Sequence, residues 1–211
     1  MDSINHSDKQ QDIDDMVAPG ADDNGSGVVV LLEVLRALAP LFAEKHVVNE
    51  VQFHWYAAEE IGLHGSDSVF AQYQNQSWPV KAMLNLDMVG YRGDRDEELP
   101  TIAVQGDHID ENLKAFTKKL IGTYPNATAG DMACGYPCSD HASAFKYGFP
   151  SAMIGESAYI NSQAGRPNGY PWIHSANDTI DHIDFEYMLE FAKVAAGFIV
   201  ELAYTNFSTL G

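Results

Sequence analysis

Residues 80–89, VKAMLNLDMV, read as a buried strand carrying one carboxylate, Asp87, among apolar neighbours. An unpaired carboxylate inside such a strand costs several kcal/mol, so Asp87 needs a cation or hydrogen-bond donors. Upstream, Val51–Ala58 (VQFHWYAA) is aromatic and β-branched and predicts another strand, with a short helix after it over Ser66–Tyr73. Earlier still, Ser26 suits an N-cap. The run VVVLLEVLRALAPLF that follows it spaces apolar residues as a helix does and is expected to stop near Pro40. Downstream, Thr101–Gln105 and Pro150–Ile154 predict strands, and helices are predicted from about Asp110 to Ile121 and over Asp184–Ala203. The last of these lines up Phe185, Met188, Leu189, Ala192, Ala195, Ala196 and Ile199 on one face, as a helix packed on a core does. Strands alternating with helices mean an α/β layered fold with a largely parallel sheet, in which ligands gather at the carboxyl ends of strands.

The chain has 211 residues, enough for one domain (1–211) with a real core, and no internal repeat or long linker divides it. Its 12 Lys+Arg against 30 Asp+Glu leave a net charge of −18, which argues against nucleic acid as a partner, because phosphate binding depends on basic clusters. The same charge favours cationic or amine-bearing ligands through a long-range field. No run approaches the ~20 apolar residues of a membrane span, so no membrane partner is expected.

The strand-end rule picks out four acidic stretches: APGADDNGSG (18–27), AAEEIGLHGS (57–66), NLDMVGY (85–91) and WIHSANDTIDHID (172–184). Each puts a carboxylate or an imidazole where a strand gives way to a loop. Oxygen and nitrogen donors without thiolates suit Zn²⁺, Mn²⁺ or Co²⁺, and carboxylates crowded together repel one another unless cations lie among them. Two metals are the physical reading. Taken singly, Asp22-Asp23-Asn24-Gly25 makes an ordinary turn and helix cap, Glu59-Glu60 a solvated corner, and His174 a satisfied core histidine. Cys134 and Cys138, with Pro137 between them, fit a small disulfide loop or two free thiols. N-x-S/T triplets at Asn5, Asn24, Asn75, Asn126, Asn177 and Asn206 lean towards an exported glycoprotein, although polar DSINHSDKQQDIDD follows Met1 with no apolar signal segment. Asn24 and Asn177 lie within the site motifs, where sugars are not expected.

Taken in order, APGADDNGSG, AAEEIGLHGS, NLDMVGY, CGYPCSDHASAF and IHSANDT resemble the zinc aminopeptidases of peptidase family M28, secreted bacterial and fungal exopeptidases with two co-catalytic zinc ions. The likeness runs from DSIN through the final helix. It implies a three-layer helix/sheet/helix zinc-exopeptidase fold with a mixed, largely parallel sheet, lacking its N-terminal strands. It also implies hydrolysis of the N-terminal peptide bond of peptides. By the resemblance, Asp22 bridges both metals, Glu60 and His174 complete one position, and Asp87 serves the other. Glu59 matches the general base and Tyr136 the oxyanion-stabilising tyrosine, in a loop the family closes with a Cys134–Cys138 disulfide. The family also carries a cis peptide after its bridging aspartate, expected here between Asp22 and Asp23. Asp2, Asp23, Asp140, His141 and Asp178 are supporting candidates. Met88, Met153 and Ile173 are candidates for an apolar pocket for the first side chain, or else ordinary core. Gly155 stands where relatives carry a bulky aromatic, which leaves a preference for leucine-like residues as an expectation.

The family pattern reads His-x-Asp-Ser, and Met1-Asp2-Ser3 supplies only x-Asp-Ser. A histidine ligand and the strand bearing it would therefore precede residue 1, which suggests a shortened product of a longer parent enzyme. The alternative is a natural short form in which one metal position is weak, filled by His6 or solvent, and open sheet edges would promote self-association. The competing readings are a non-catalytic binding module and a related enzyme, a carboxypeptidase or a glutaminyl cyclase. The Glu59-Glu60 pair argues against the cyclase.

Overall fold

The computed structural model describes residues 2–6, 16–44, 47–93, 98–156 and 170–209. Met1, His46 and part of the polar N-terminal loop lie outside the described residues. At the centre of the sheet is β4 (Ser151–Glu156), buried along its whole length, so its small and apolar residues face packed layers on both sides. The other strands are β1 (Met83–Leu86), β2 (Thr101–Gln105) and β3 (Thr128–Met132), in the order β1-β4-β2-β3. β1 runs parallel to β4 with Met83 opposite Ser151 and Leu86 opposite Ile154, β2 runs parallel to β3, and β2 meets β4 antiparallel. The sheet is therefore mixed, with the largely parallel character that the alternation predicts.

The helices are α1 (Gly27–Glu44), α2 (His64–Asn75), α3 (Glu111–Ile121), α4 (His141–Lys146) and α5 (Phe185–Ala203). Period-two alternation in the strands sorts them into layers. Ile102, Val104, Ala152 and Ile154 join the main core with α1, α3 and α5, around the fully buried Phe191. Ala103 and Met153 face the opposite way and pack with Met132, on the side where α4 meets β4 and β1. Asp184 and Asp110 fix the starts of α5 and α3 by accepting first-turn N–H groups at 3.0 and 2.8 Å.

Four features depart from the sequence reading. α1 continues past Pro40 to Glu44, because Leu41 and Phe42 pack against the core and hold the extra turn. Ala21–Glu44 is long enough to cross a membrane and holds an 18-residue stretch of mean hydropathy 1.8, but its Val30, Val34 and Leu38 are used in packing this domain. β3 (TAGDM) and the six-residue α4 went unpredicted, the first because Gly and Asp are poor strand residues, the second because it is too short to show a period.

The fourth difference matters most. Residues 51–58 do not join the sheet, and among the described residues the backbone of 51–56 makes no backbone hydrogen bond. Composition can favour an extended chain, but a strand also needs a neighbour with which to form a ladder. Between this segment and the free edge of β1 lies a cleft of about 720 Å³, walled by Leu31, Phe53, Trp55, Leu84, Phe198 and Leu202. Its border also holds Asp2, Asp23, Glu59, Glu60, Asp87 and Asp140.

Candidate metal centre

The turn before α1 is built by side chains that satisfy its own backbone. Gly20 adopts φ +60, and a Cβ there would approach Ser3 Cβ to 2.6 Å, so the turn requires glycine. Asp178 accepts the N–H groups of Asp22 and Asp23 on its two oxygens, at 2.8 and 3.0 Å, while the Tyr170 hydroxyl donates to it at 2.7 Å. Asn24 ties the turn to the end of β1: its amide donates to Leu86 O, and its Oδ1 accepts from Gly27 and Met88 N–H. A cis peptide follows Asp23, between Asp23 and Asn24, and not Asp22 as expected.

As a result the two aspartates exchange the positions assigned to them. Asp22 points into the protein, fully buried, with Oδ1 accepting from Gly90 N–H at 2.8 Å. Asp23 faces the cleft, where His174 Nε2 stands 3.0 Å from Asp23 Oδ2 and 3.1 Å from Glu60 Oε2. Successive side chains in a turn of this kind point in opposite directions, so only one of the pair can reach the cluster. The aspartate that meets Glu60 and His174 is therefore Asp23, expected only as a supporting residue, and not Asp22.

Asp23, Glu60 and His174 each offer one donor atom, and the three atoms lie within 4.8 Å of one another. A tetrahedral zinc with bonds near 2.1 Å needs its donors roughly 3.4 Å apart, so small adjustments of the side chains suffice. Glu60 Oε1 is buried with no hydrogen-bond partner among the described residues, and a cation would relieve it. The donor set fits zinc. Without metal, hydrogen bonds from His174 to Asp23 and Glu60 raise the imidazole to about 10, so a proton occupies the place a cation would take.

Glu59 lines the same cleft, and burial together with Asp87, Glu60, Asp140 and Asp23 pushes it up to about 9. Asp87 is raised well above the usual range, first by burial and then by Asp23, with Ser139 opposing the shift through a hydrogen bond. Asp87 borders the cleft but stands outside the three-donor group. Asp2 accepts Glu60 N–H at 3.2 Å, and His6 sets its ring edge-on to His174 with centroids 5.2 Å apart. Asp140 is raised to about 6 by burial, and the fully buried His141 is lowered to about 4 by the same cause.

The remaining candidates lie elsewhere. Tyr136 stands at the tip of the Cys134–Cys138 disulfide loop, 57% exposed, outside the walls of the cleft. That loop is anchored by Gln105, whose amide donates to both sulfurs. Met88 and Met153 are closed core residues with no exposed face for a substrate, and Ile173 is half-buried outside the cleft. Sequence reading passed over Glu156, a carboxylate ending a fully buried strand, although the argument applied to Asp87 covers it equally.

The model of peptidase family M28 matches residues 1–199. The chain belongs to family M28. Among curated M28-like relatives, leucine aminopeptidase 1 of Penicillium rubens is 44% identical over 196 residues, covering 91% of this chain and 49% of that protein. Among solved structures, the LapA aminopeptidase of Legionella pneumophila is 36% identical with a TM-score of 0.74, covering 89% of this chain and 47% of that one. LapB from the same organism is 35% identical with a TM-score of 0.78, covering 88% and 48%. The chain spans about half the length of the curated relatives it matches.

The carboxylate cluster sets a pH dependence for the metal-free M28 chain. His174 keeps its proton to about 10 and Glu59 to about 9, against ordinary values of 6.5 and 4.5. Both therefore bind more protons folded than unfolded between pH 6.5 and 9, which makes stability fall as pH rises. His54 and His141, whose folded values are lowered, oppose this slope only near pH 6.5, where the unfolded imidazoles still hold part of their protons, and add none well above it. Thermal melts of the chelated chain should show Tm dropping across this window, and saturating zinc should flatten the profile. A Tm that is constant or rising without metal would refute the assignment.

Proposed function

We propose that this chain carries the metal-binding site of a zinc-dependent aminopeptidase that hydrolyses the first peptide bond of peptides. The observation that carries this reading is the convergence of Asp23, Glu60 and His174 beside Glu59 in an M28 chain. Asp87 is the natural donor for a second ion, because a buried carboxylate raised so far gains most from a cation. Bound zinc supplies Lewis acidity and makes a nearby water more acidic. Glu59 is placed to take the proton of the attacking water and return it to the leaving amine. Asp2 and Asp178 hold the backbones of Glu60 and of Asp22-Asp23, keeping the donors aimed at one point. The carboxylates around the cleft attract an α-ammonium group, which favours peptide N-termini, and the apolar walls favour a hydrophobic first residue.

Among the described residues one edge of β1 and residues 51–56 have no strand partner, which leads us to include self-association in this reading. The disulfide and the exposed triplets at Asn75, Asn126 and Asn206 support an exported, glycosylated protein. A mass unchanged by glycosidase would remove the sugars from the proposal.

The test is release of p-nitroaniline from leucyl p-nitroanilide by the 211-residue chain, with light scattering on the same samples. Chelation should abolish release and zinc should restore it. Turnover that survives exhaustive chelation, or equal cleavage of N-acylated substrates, would overturn the aminopeptidase reading, and a strictly monomeric chain would reject self-association.

A further inference from the structure

Two of the proposed ligands sit on separate stretches of chain, Asp23 in the turn before α1 and His174 midway along residues 170–178. His174 has φ +54, a left-handed backbone that a residue other than glycine keeps only when its surroundings hold it there. One side chain joins the two stretches. Asp178 is buried, and its Oδ1 accepts Asp22 N–H at 2.8 Å while its Oδ2 accepts Asp23 N–H at 3.0 Å. Its main-chain carbonyl also accepts Ala21 N–H at 3.1 Å. The third donor to that carboxylate is the hydroxyl of Tyr170, 2.7 Å from Oδ1. Tyr170 is 2% exposed, its ring 4.9 Å from that of Tyr91 and edge-on to His182. A buried hydroxyl needs a partner and a buried carboxylate needs donors, so this bond serves both groups.

We infer that Tyr170 is a positioning residue: its hydroxyl closes residues 170–178 onto Asp178 and so fixes His174 against the turn that presents Asp23 to the metal. Both ends of the stretch are anchored at one carboxylate, the same one that holds the turn. Without the hydroxyl, the 170 end loses its tie to the turn. The separation of His174 Nε2 from Asp23 Oδ2, 3.0 Å, is then set from the 178 end alone. His6 N–H donates to His174 O at 2.9 Å, but it reaches His174 from the N-terminal segment and does not tie it to the turn. A metal site binds tightly when its donors are held in place beforehand, so loosening one donor against another costs affinity. This role rests on the reading of Asp23 and His174 as ligands and adds a residue that acts on them through Asp178.

The experiment compares the full chain with Tyr170→Phe, which removes the hydroxyl alone, Tyr170→Leu, which removes the ring as well, and Asp23→Asn as a ligand control. Zinc affinity is measured by competition with a chelating dye, and the visible absorption of bound Co²⁺ reports the geometry of the site. Tyr170→Phe should bind zinc about ten- to a hundredfold more weakly than the parent, the loss typical when a ligand's support is removed. Its Co²⁺ bands should shift from the parent's, which a loss of packing that leaves the ligands in place does not produce. Most of the loss seen in Tyr170→Leu should already be present in Tyr170→Phe. Parent-like zinc binding by Tyr170→Phe, unchanged Co²⁺ bands, or a loss confined to Tyr170→Leu would overturn the inference and leave Tyr170 a space-filling residue. Should Tyr170→Leu fail to fold, the affinity and the bands of Tyr170→Phe still decide. A parent that takes up no zinc, or an Asp23→Asn variant that binds it as the parent does, overturns the ligand reading and the positioning role with it. A parent whose zinc is lost in Asp23→Asn and kept in Tyr170→Phe overturns the positioning role alone.

Discussion

Glu59→Gln is expected to lower kcat on leucyl p-nitroanilide by about a hundred- to ten-thousandfold, the range a positioned general base contributes. The amide occupies the same space beside Glu60 but has no lone pair basic enough to take a proton from water. Zinc binding should survive, because the three converging donors are Asp23, Glu60 and His174. Removing a carboxyl that titrates beside Asp87, Glu60, Asp140 and Asp23 should also weaken the pH dependence of the metal-free chain. Kinetics with parallel zinc analysis check both points. Activity within tenfold of the parent would show that another group moves the proton, and joint loss of zinc and activity would make Glu59 a ligand instead.

Asp23→Asn should weaken zinc binding by more than about a hundredfold, beyond the range seen when only a ligand's support is lost. Asp22→Asn should cost far less, because Asp22 is buried away from the three donors and the asparagine oxygen can still accept from Gly90. The motif taken by itself assigns the bridging role to Asp22, so this pair of substitutions separates the two readings directly. Dye competition on both variants gives the answer. A severe loss in Asp22→Asn with near-normal binding in Asp23→Asn would restore the motif-based assignment and remove the one drawn from the turn.

Much of the architecture could be read from local pattern. α5 repeats apolar residues at helical spacing and opens on Asp184, a strong N-cap, so its limits fall where they were predicted. The apolar run with Asp87 near its end already implied a buried charge needing a partner, and the acidic stretches at strand ends brought Glu59, Glu60 and His174 under suspicion together. Those conclusions depend only on spacing and on the cost of burying a charge, both of which are written in the chain.

What the sequence could not decide was direction and pairing. Which of two neighbouring aspartates faces the cleft depends on Asp178, Leu86 and Gly90 meeting the turn from 62 to 156 residues away, and no local pattern encodes those contacts. Val51–Ala58 has the composition of a strand but no ladder, because strand formation requires a second edge that composition cannot supply. Met88 and Met153 have the character of pocket residues until packing closes over them. Residue types and their spacing fixed the chemistry on offer in this protein, and contacts between distant segments settled which atoms face one another, since hydrogen bonds and packing act through space and not along the chain.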